Sequence, residues 1–163
     1  MSVVDELLDS NRRFAGTFVN YGGPAEPSLQ LTVVTCMDAR IDVLALLGLQ
    51  LGQAHILRNA GGIVTDDVLR SLLLSQRLLG TREVVLIHHT GCGLLMFRDD
   101  ELAAEVERDT GVRPPLPLGS ITSLEDSVRT SMATVRGCAF LPHSDQVRGF
   151  VYELATGRLH EVS

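Results

Sequence analysis

The sequence predicts an α/β protein: a central, mostly parallel sheet flanked by helices, with a short antiparallel edge strand. Three observations predict it. Short β-branched runs alternate with stretches of helical period. Ala155-Thr156-Gly157 turns the last long strand back on a short partner. The chain has 163 residues and is 45% hydrophobic, which suits one domain over residues 1–163 with a sizeable core.

The elements follow in order. Val3 to Phe18 reads as a helix, with Val4, Leu7, Leu8 and Phe14 recurring at helical spacing. Tyr21 to Pro27 is a loop. Leu31 to Cys36 suits a buried strand. A helical piece around Asp42 to Leu47 leads to a second strand, Ala54 to Arg58, and a Gly-rich turn at Asn59 to Gly62. Thr65 to Leu79 is a helix capped by Thr65 or Asp66, with Val68, Leu69, Leu72, Leu73 and Leu79 as its core face, and Gly80 stops it. Glu83 to His89 is the third strand, and Asp99 to Asp109 a charged helix. Pro114, Pro115 and Pro117 stiffen a loop before the last helix, Ser123 to Val135. Val147 to Leu154 is a strand, and Arg158 to Val162 the antiparallel edge.

Composition excludes several functions. No apolar run approaches the ~20 residues that span a membrane. The acidic N-terminus lacks the pattern of a signal peptide, so a cytoplasmic protein is expected. The net charge is −6 and all 14 basic residues are arginine, which disfavours nucleic acid and excludes Schiff-base and P-loop lysines. Three cysteines, Cys36, Cys92 and Cys138, form no C-x-x-C, which leaves metal or catalysis as the better use for two of them. Cys138, between Gly137 and Ala139, reads as an inert buried thiol.

In a parallel sheet, ligands sit beyond the carboxyl ends of the strands. There the first strand places Cys36-Met37-Asp38-Ala39-Arg40, the second Arg58-Asn59-Ala60-Gly61-Gly62, and the third His88-His89-Thr90-Gly91-Cys92-Gly93. Zinc takes thiolate and imidazole ligands, and a catalytic zinc keeps its fourth position open. His89-x-x-Cys92 offers two ligands from one turn, which Gly91 and Gly93 permit, and Cys36 offers a third. His88 and His89 point to opposite faces of an extended strand, so His88 is expected in the core, hydrogen-bonded to backbone. If Cys36 to Arg40 is extended, Cys36, Asp38 and Arg40 share one side, and the Arg40 guanidinium can orient the Asp38 carboxylate beside the metal. Asn59 to Gly62 lacks G-x-G-x-x-G and reads as a turn lining the site or an interface, not a phosphate loop. Leu94 to Phe97 serve as core, pocket wall or interface, which the sequence does not separate.

Taken together, Cys36-Met37-Asp38-Ala39-Arg40 and His89-Thr90-Gly91-Cys92-Gly93 resemble the two signature motifs of the β-class carbonic anhydrases, and Arg58-Asn59-Ala60-Gly61 is similar to a third family motif. The likeness runs along essentially the whole chain and is strongest to the smaller bacterial and archaeal type. It implies one zinc per chain held by Cys36, His89 and Cys92, with Asp38 and Arg40 as catalytic dyad. It also implies a homodimer, in some members a tetramer, whose N-terminal helix packs on the partner. Relatives of this type often carry Asp where this chain has Gly91, a position that is not a ligand.

The activity so implied is reversible hydration of carbon dioxide to bicarbonate and a proton by a metal-bound hydroxide. Two thiolates neutralise zinc more than imidazoles do, so mildly alkaline pH is expected for hydration. Below that, Asp38, ionised above about pH 4, can displace water and become a fourth zinc ligand. His55, His143 and His160 are proton-shuttle candidates by residue type only. The rivals are a carbonyl sulfide or carbon disulfide hydrolase on the same fold, a non-catalytic zinc-binding regulator, and a thiol redox protein.

Overall fold

The computed structural model describes residues 2–163. Its elements are α1 (Val3–Thr17), β1 (Leu31–Cys36), α2 (Val43–Leu47), β2 (Ala54–Asn59), α3 (Asp66–Leu79), β3 (Glu83–His89), α4 (Asp99–Thr110), α5 (Leu124–Arg136), β4 (Val147–Glu153) and β5 (Arg158–Val162). Two 3₁₀ turns, Ala60–Gly62 and Gly93–Leu95, were not legible as helical in the sequence; each follows directly on a strand-end motif.

The sheet runs β2-β1-β3-β4-β5. The first four strands are parallel, and β5 pairs antiparallel with β4, as expected from the turn between them. β1 and β3 are neighbours, so their carboxyl ends meet in the middle of the sheet.

Alternation along the strands divides the core. Val34 and Leu86 face α3 and α5, where they pack with Leu72, Val128 and Val135. Val33 and Ile87 face the other side with Ile41, Val43 and Leu94. α2, α3 and α5 each start where a short polar side chain accepts a bond from a free backbone N–H, whereas α4 starts at Arg98 without one. Asp42 does so for Ala45 (3.1 Å), Thr65 for Val68 (3.4 Å) and Ser123 for Asp126 (3.3 Å). Of the two residues offered as cap for α3, Thr65 takes the role and Asp66 opens the helix. Gly80 ends it in the left-handed conformation.

α1 differs from every other helix of comparable length: none of its residues is buried. Val3, Val4, Leu7, Leu8 and Phe14 are all more than half exposed, although they form the apolar stripe of an amphipathic helix. No helix among the described residues is long and apolar enough to cross a membrane.

A buried hydroxyl cluster ties the amino end of the sheet together. Ser75 Oγ lies 2.8 Å from Thr32 Oγ1, 2.7 Å from Thr81 Oγ1 and 2.7 Å from His55 Nδ1. His55 is thereby a packing residue on β2, at the opposite end of its strand from the metal-ligand candidates. His160 lies 3.7 Å from Glu153 on the β4–β5 hairpin.

Candidate metal centre

Beyond the ends of β1 and β3, Cys36, His89 and Cys92 offer ligand atoms that all lie within 4.8 Å of one another. Cys36 ends β1 and His89 ends β3, while Cys92 comes from the turn that follows. All three are buried. The two sulfurs are 4.0 Å apart. Two sulfurs at ~2.3 Å from a tetrahedral zinc lie about 3.8 Å apart, so the thiol pair already has the spacing the ion needs.

The His89 ring is set for the same purpose. Its Nδ1 lies 3.0 Å from the Thr90 carbonyl, to which it donates in the tautomer that leaves a lone pair on Nε2. Nε2 is buried and has no hydrogen-bond partner. An unpaired buried nitrogen is costly; a metal ion is the partner that two neighbouring sulfurs and this lone pair together fit. Burial pushes the His89 pKa down, which favours the neutral ligand form. Burial also pushes the Cys92 thiol up, with Cys36 adding to the shift.

The loops are shaped by few residues. Gly91 adopts φ +64°, which the His89–Cys92 turn requires; Gly93 has no positive φ, so only one of the two flanking glycines uses glycine's freedom. Thr90 anchors the same turn to β4: its N–H donates to Tyr152 O (2.9 Å), and its Oγ1 accepts from Leu154 N (3.1 Å). Gly62, at φ +69°, sits against β1 so closely that a Cβ would meet Cys36 N at 2.8 Å.

Asp38 and Arg40 stand beside the cysteines and histidine. The condition that Cys36 to Arg40 be extended is not met. β1 ends at Cys36, and Asp38 Oδ1 accepts from Arg40 N (3.0 Å), a turn closed by the Asp side chain itself. The pair forms all the same. Arg40 Nε donates to Asp38 Oδ1 at 2.9 Å, Nη2 donates to Oδ2 at 2.6 Å, and Nη2 also donates to Gly91 O at 3.1 Å. These bonds hold the Asp38 carboxyl well below the usual carboxylate range. Asp38 Oδ2 is 3.8 Å from His89 Nε2, next to the cluster of three rather than within it.

A cavity of about 230 Å³ opens over the site, lined by Cys36, Met37, Asp38, Ala60, Gly61, Cys92, Gly93 and Leu94. Leu94 is thus both core and pocket wall, whereas Met96 is 85% exposed. Its walls apart from Asp38 and the thiols are apolar or glycine. His88 is fully buried on the opposite face of β3, as expected of a core histidine. The expected backbone hydrogen bond is not made with good geometry: both ring nitrogens lack a partner, and burial pushes the His88 pKa down to about 4 against an opposing pull from the Gly62 backbone. Cys138 is buried in the core.

One residue of the site was missed as such by sequence reasoning. Arg58 donates to the carbonyl of Cys36 at the end of β1 and to those of Asp38 and Ile41 in the segment that follows. Its position beside Asn59 at a strand end was the available signal, but the register Thr35↔Arg58 that aims it there is a property of the folded sheet.

Comparison with known proteins agrees with this arrangement. The profile of the family described as Carbonic anhydrase matches residues 31–112. Beta-carbonic anhydrase 1 of Mycobacterium tuberculosis is 45% identical over 163 residues, covering 100% of this chain and 99% of that protein. A carbon disulfide hydrolase of an Acidianus species is 35% identical, covering 81% of this chain and 76% of that protein. The crystal structure of a carbonic anhydrase from Streptococcus mutans superposes with a TM-score of 0.93 at 40% identity, over 100% of this chain and 99% of that one. On sequence, fold and site together, the chain belongs to the β-carbonic anhydrase family.

Proposed function

We propose that the protein catalyses the reversible hydration of carbon dioxide to bicarbonate and a proton, with one zinc ion per chain held by Cys36, His89 and Cys92. The observation that carries this reading is the buried, unpartnered His89 Nε2 facing two thiols 4.0 Å apart, with an oriented carboxylate next to it. Zinc, when bound, supplies a Lewis acid that brings the pKa of water from ~15.7 toward ~7.

The chain's own groups do the rest. Asp38 is ionised and can only accept hydrogen bonds. Arg40 fixes its plane through two parallel bonds, so the carboxylate receives a proton donor from one direction only. Gly91 O in turn fixes Arg40. Met37, Ala60, Gly61 and Leu94 give an apolar, linear substrate a dry seat beside that carboxylate. Below neutral pH, Asp38 remains ionised and is the nearest anion to the three ligands; we assign it as a fourth ligand there, closing the site once it leaves Arg40.

Residues 1–163 act as one domain in this reading. The exposed apolar stripe of α1 supports a homodimer in which that helix lies on the partner, with a tetramer made of two such dimers as the larger form. Three free, buried cysteines suit a reducing cytoplasm.

The test is stopped-flow carbon dioxide hydration from pH 6 to 9 with zinc quantified, alongside Cys36→Ser and Asp38→Asn. Zinc-dependent activity that rises with pH and is lost in Cys36→Ser supports the reading; zinc-loaded protein inactive across the range rejects it. A second reading, hydrolysis of carbon disulfide or carbonyl sulfide, is favoured by relatives named carbon disulfide hydrolase at 31–35% identity. The same cavity suits either linear substrate, and rates on each compound separate the two. A purely structural zinc in a regulator would have no use for the Asp38–Arg40 pair.

A further inference from the structure

The segment Met37 to Asp42 carries the Asp38–Arg40 pair, yet it lies outside the sheet and outside any helix. The β1–β2 ladder ends at Cys36↔Asn59, and one further bond, Met37 N to Asn59 O at 2.8 Å, continues it. Past that point, up to Asp42, which accepts from Ala45 N (3.1 Å) and Leu46 N (2.9 Å) at the start of α2, the segment's own backbone bonds are the Asp38 turn and Ile41 N to Asp38 O at 3.1 Å.

Arg58 ties the carbonyls of this stretch to the sheet. From the neighbouring strand its Nε donates to Cys36 O at 3.0 Å, its Nη1 to Ile41 O at 3.1 Å, and its Nη2 to Asp38 O at 2.6 Å. One planar group thus gathers three carbonyls between Cys36 and Ile41. Two of them belong to a metal-ligand candidate and to the catalytic carboxylate. Only a guanidinium presents enough donors in a rigid fork to do this; an ammonium is a single point with no fixed plane. With the Asp38 backbone pinned through its own carbonyl, the carboxylate has only its side-chain torsions left to set, and Arg40 sets those.

We infer that Arg58 is a positioning residue for the reaction: it holds the Met37–Asp42 backbone so that Asp38 keeps its place beside His89 and the two thiols. The inference rests on carbon dioxide hydration as the activity. Misplacement of a reacting group by about 1 Å costs on the order of 100-fold in rate, so a loosened segment is expressed in kcat rather than in substrate affinity.

The experiment compares wild type, Arg58→Lys and Arg58→Gln, all zinc-loaded. It measures kcat and KM per bound zinc, together with amide hydrogen exchange of the peptide covering residues 37–42. Both variants are expected to keep zinc and to melt cooperatively. Their kcat should fall ~10- to 100-fold with KM within about twofold of wild type. Exchange should accelerate in residues 37–42 and stay unchanged in β3 and β4. A kcat per zinc equal to wild type in either variant overturns the inference, as does activity lost only in proportion to zinc. Failure of both variants to fold assigns Arg58 to stability and overturns it too. Zinc-loaded wild type that hydrates no carbon dioxide rejects the proposed activity instead, and the exchange comparison then still decides whether Arg58 orders the segment.

Discussion

Asp38 and Arg40 are joined twice, Nε to Oδ1 at 2.9 Å and Nη2 to Oδ2 at 2.6 Å, although only one residue separates them in the chain. Such a fork between near neighbours requires the backbone to turn, and it makes the carboxylate a fixed acceptor. Asp38→Asn should therefore lower kcat/KM ~100-fold or more while zinc content stays at wild type, because an amide presents a donor where the carboxylate only accepts. Arg40→Gln should cost less, about 10- to 100-fold, since Asp38 stays charged but loses its orientation. Stopped-flow kinetics with parallel metal analysis checks both. Equal losses in zinc and activity would count against the assignment.

Removal of any one of Cys36, His89 and Cys92 should abolish stoichiometric zinc. Cys36→Ser, His89→Ala and Cys92→Ser each leave two ligands, too few for a stable site. Metal analysis after dialysis against a mild chelator reads the outcome. Full zinc retention in any one variant would move that residue out of the ligand set.

Acid sensitivity has a source besides metal loss. The folded-state pKa of His88 is depressed to about 4, below its ordinary value of 6.5. The unfolded chain therefore binds a proton that the folded chain refuses. The stability from keeping His88 neutral is present above pH 6.5 and is lost progressively as pH falls toward 4. His88→Leu should show a shallower fall in urea midpoint over that window than wild type. Parallel curves for the two proteins would mean that His88 does not titrate as stated.

Gly62 should tolerate no side chain. Its left-handed backbone alone costs an alanine about 1–2 kcal/mol, and the added Cβ would press on Cys36 N at 2.8 Å. Gly62→Ala is expected to lower the urea midpoint by more than Gly91→Ala, whose Cβ would meet nothing within 4 Å. The reverse order would show that the close approach relaxes without cost.

The α1 stripe gives a prediction of assembly. Leu7→Glu with Leu8→Glu places charges on apolar positions that are more than half exposed in the single chain. The monomer fold should survive while light scattering shows a smaller particle. An unchanged mass would exclude α1 from any interface.

Much of the fold was readable from residue patterns, for identifiable reasons. LTVVTC and EVVLIHH are β-branched runs bounded by turns, and Thr65, Ser123 and Gly80 are terminus residues whose chemistry is local. The gathering of Cys36, His89 and Cys92 was legible because parallel sheets bring strand ends together. The Arg58 contacts and the Ser75–Thr32–Thr81–His55 cluster were not, because both depend on register between strands and on helix placement. The extended course on which one reading of Cys36 to Arg40 was conditional is not taken: β1 ends at Cys36, and the Asp38 carboxylate bonds the backbone two residues on in a turn. That preference is written in the residue type, but it competes with the period-two pattern, and here the local bond prevails.

The pairing of β1 with β3 also bears on how the protein lives and unfolds. Cys36 and Cys92 are separated by 56 positions and meet only after those two strands have aligned. A metal that needs both sulfurs gains nothing from a chain still searching for that alignment. The binding energy of such a metal would fall on the native side of the folding barrier, and so would lengthen the lifetime of the finished protein without hastening its formation. Stripping the ion should speed unfolding several-fold at an unchanged refolding rate, making the metal a latch on an already closed structure.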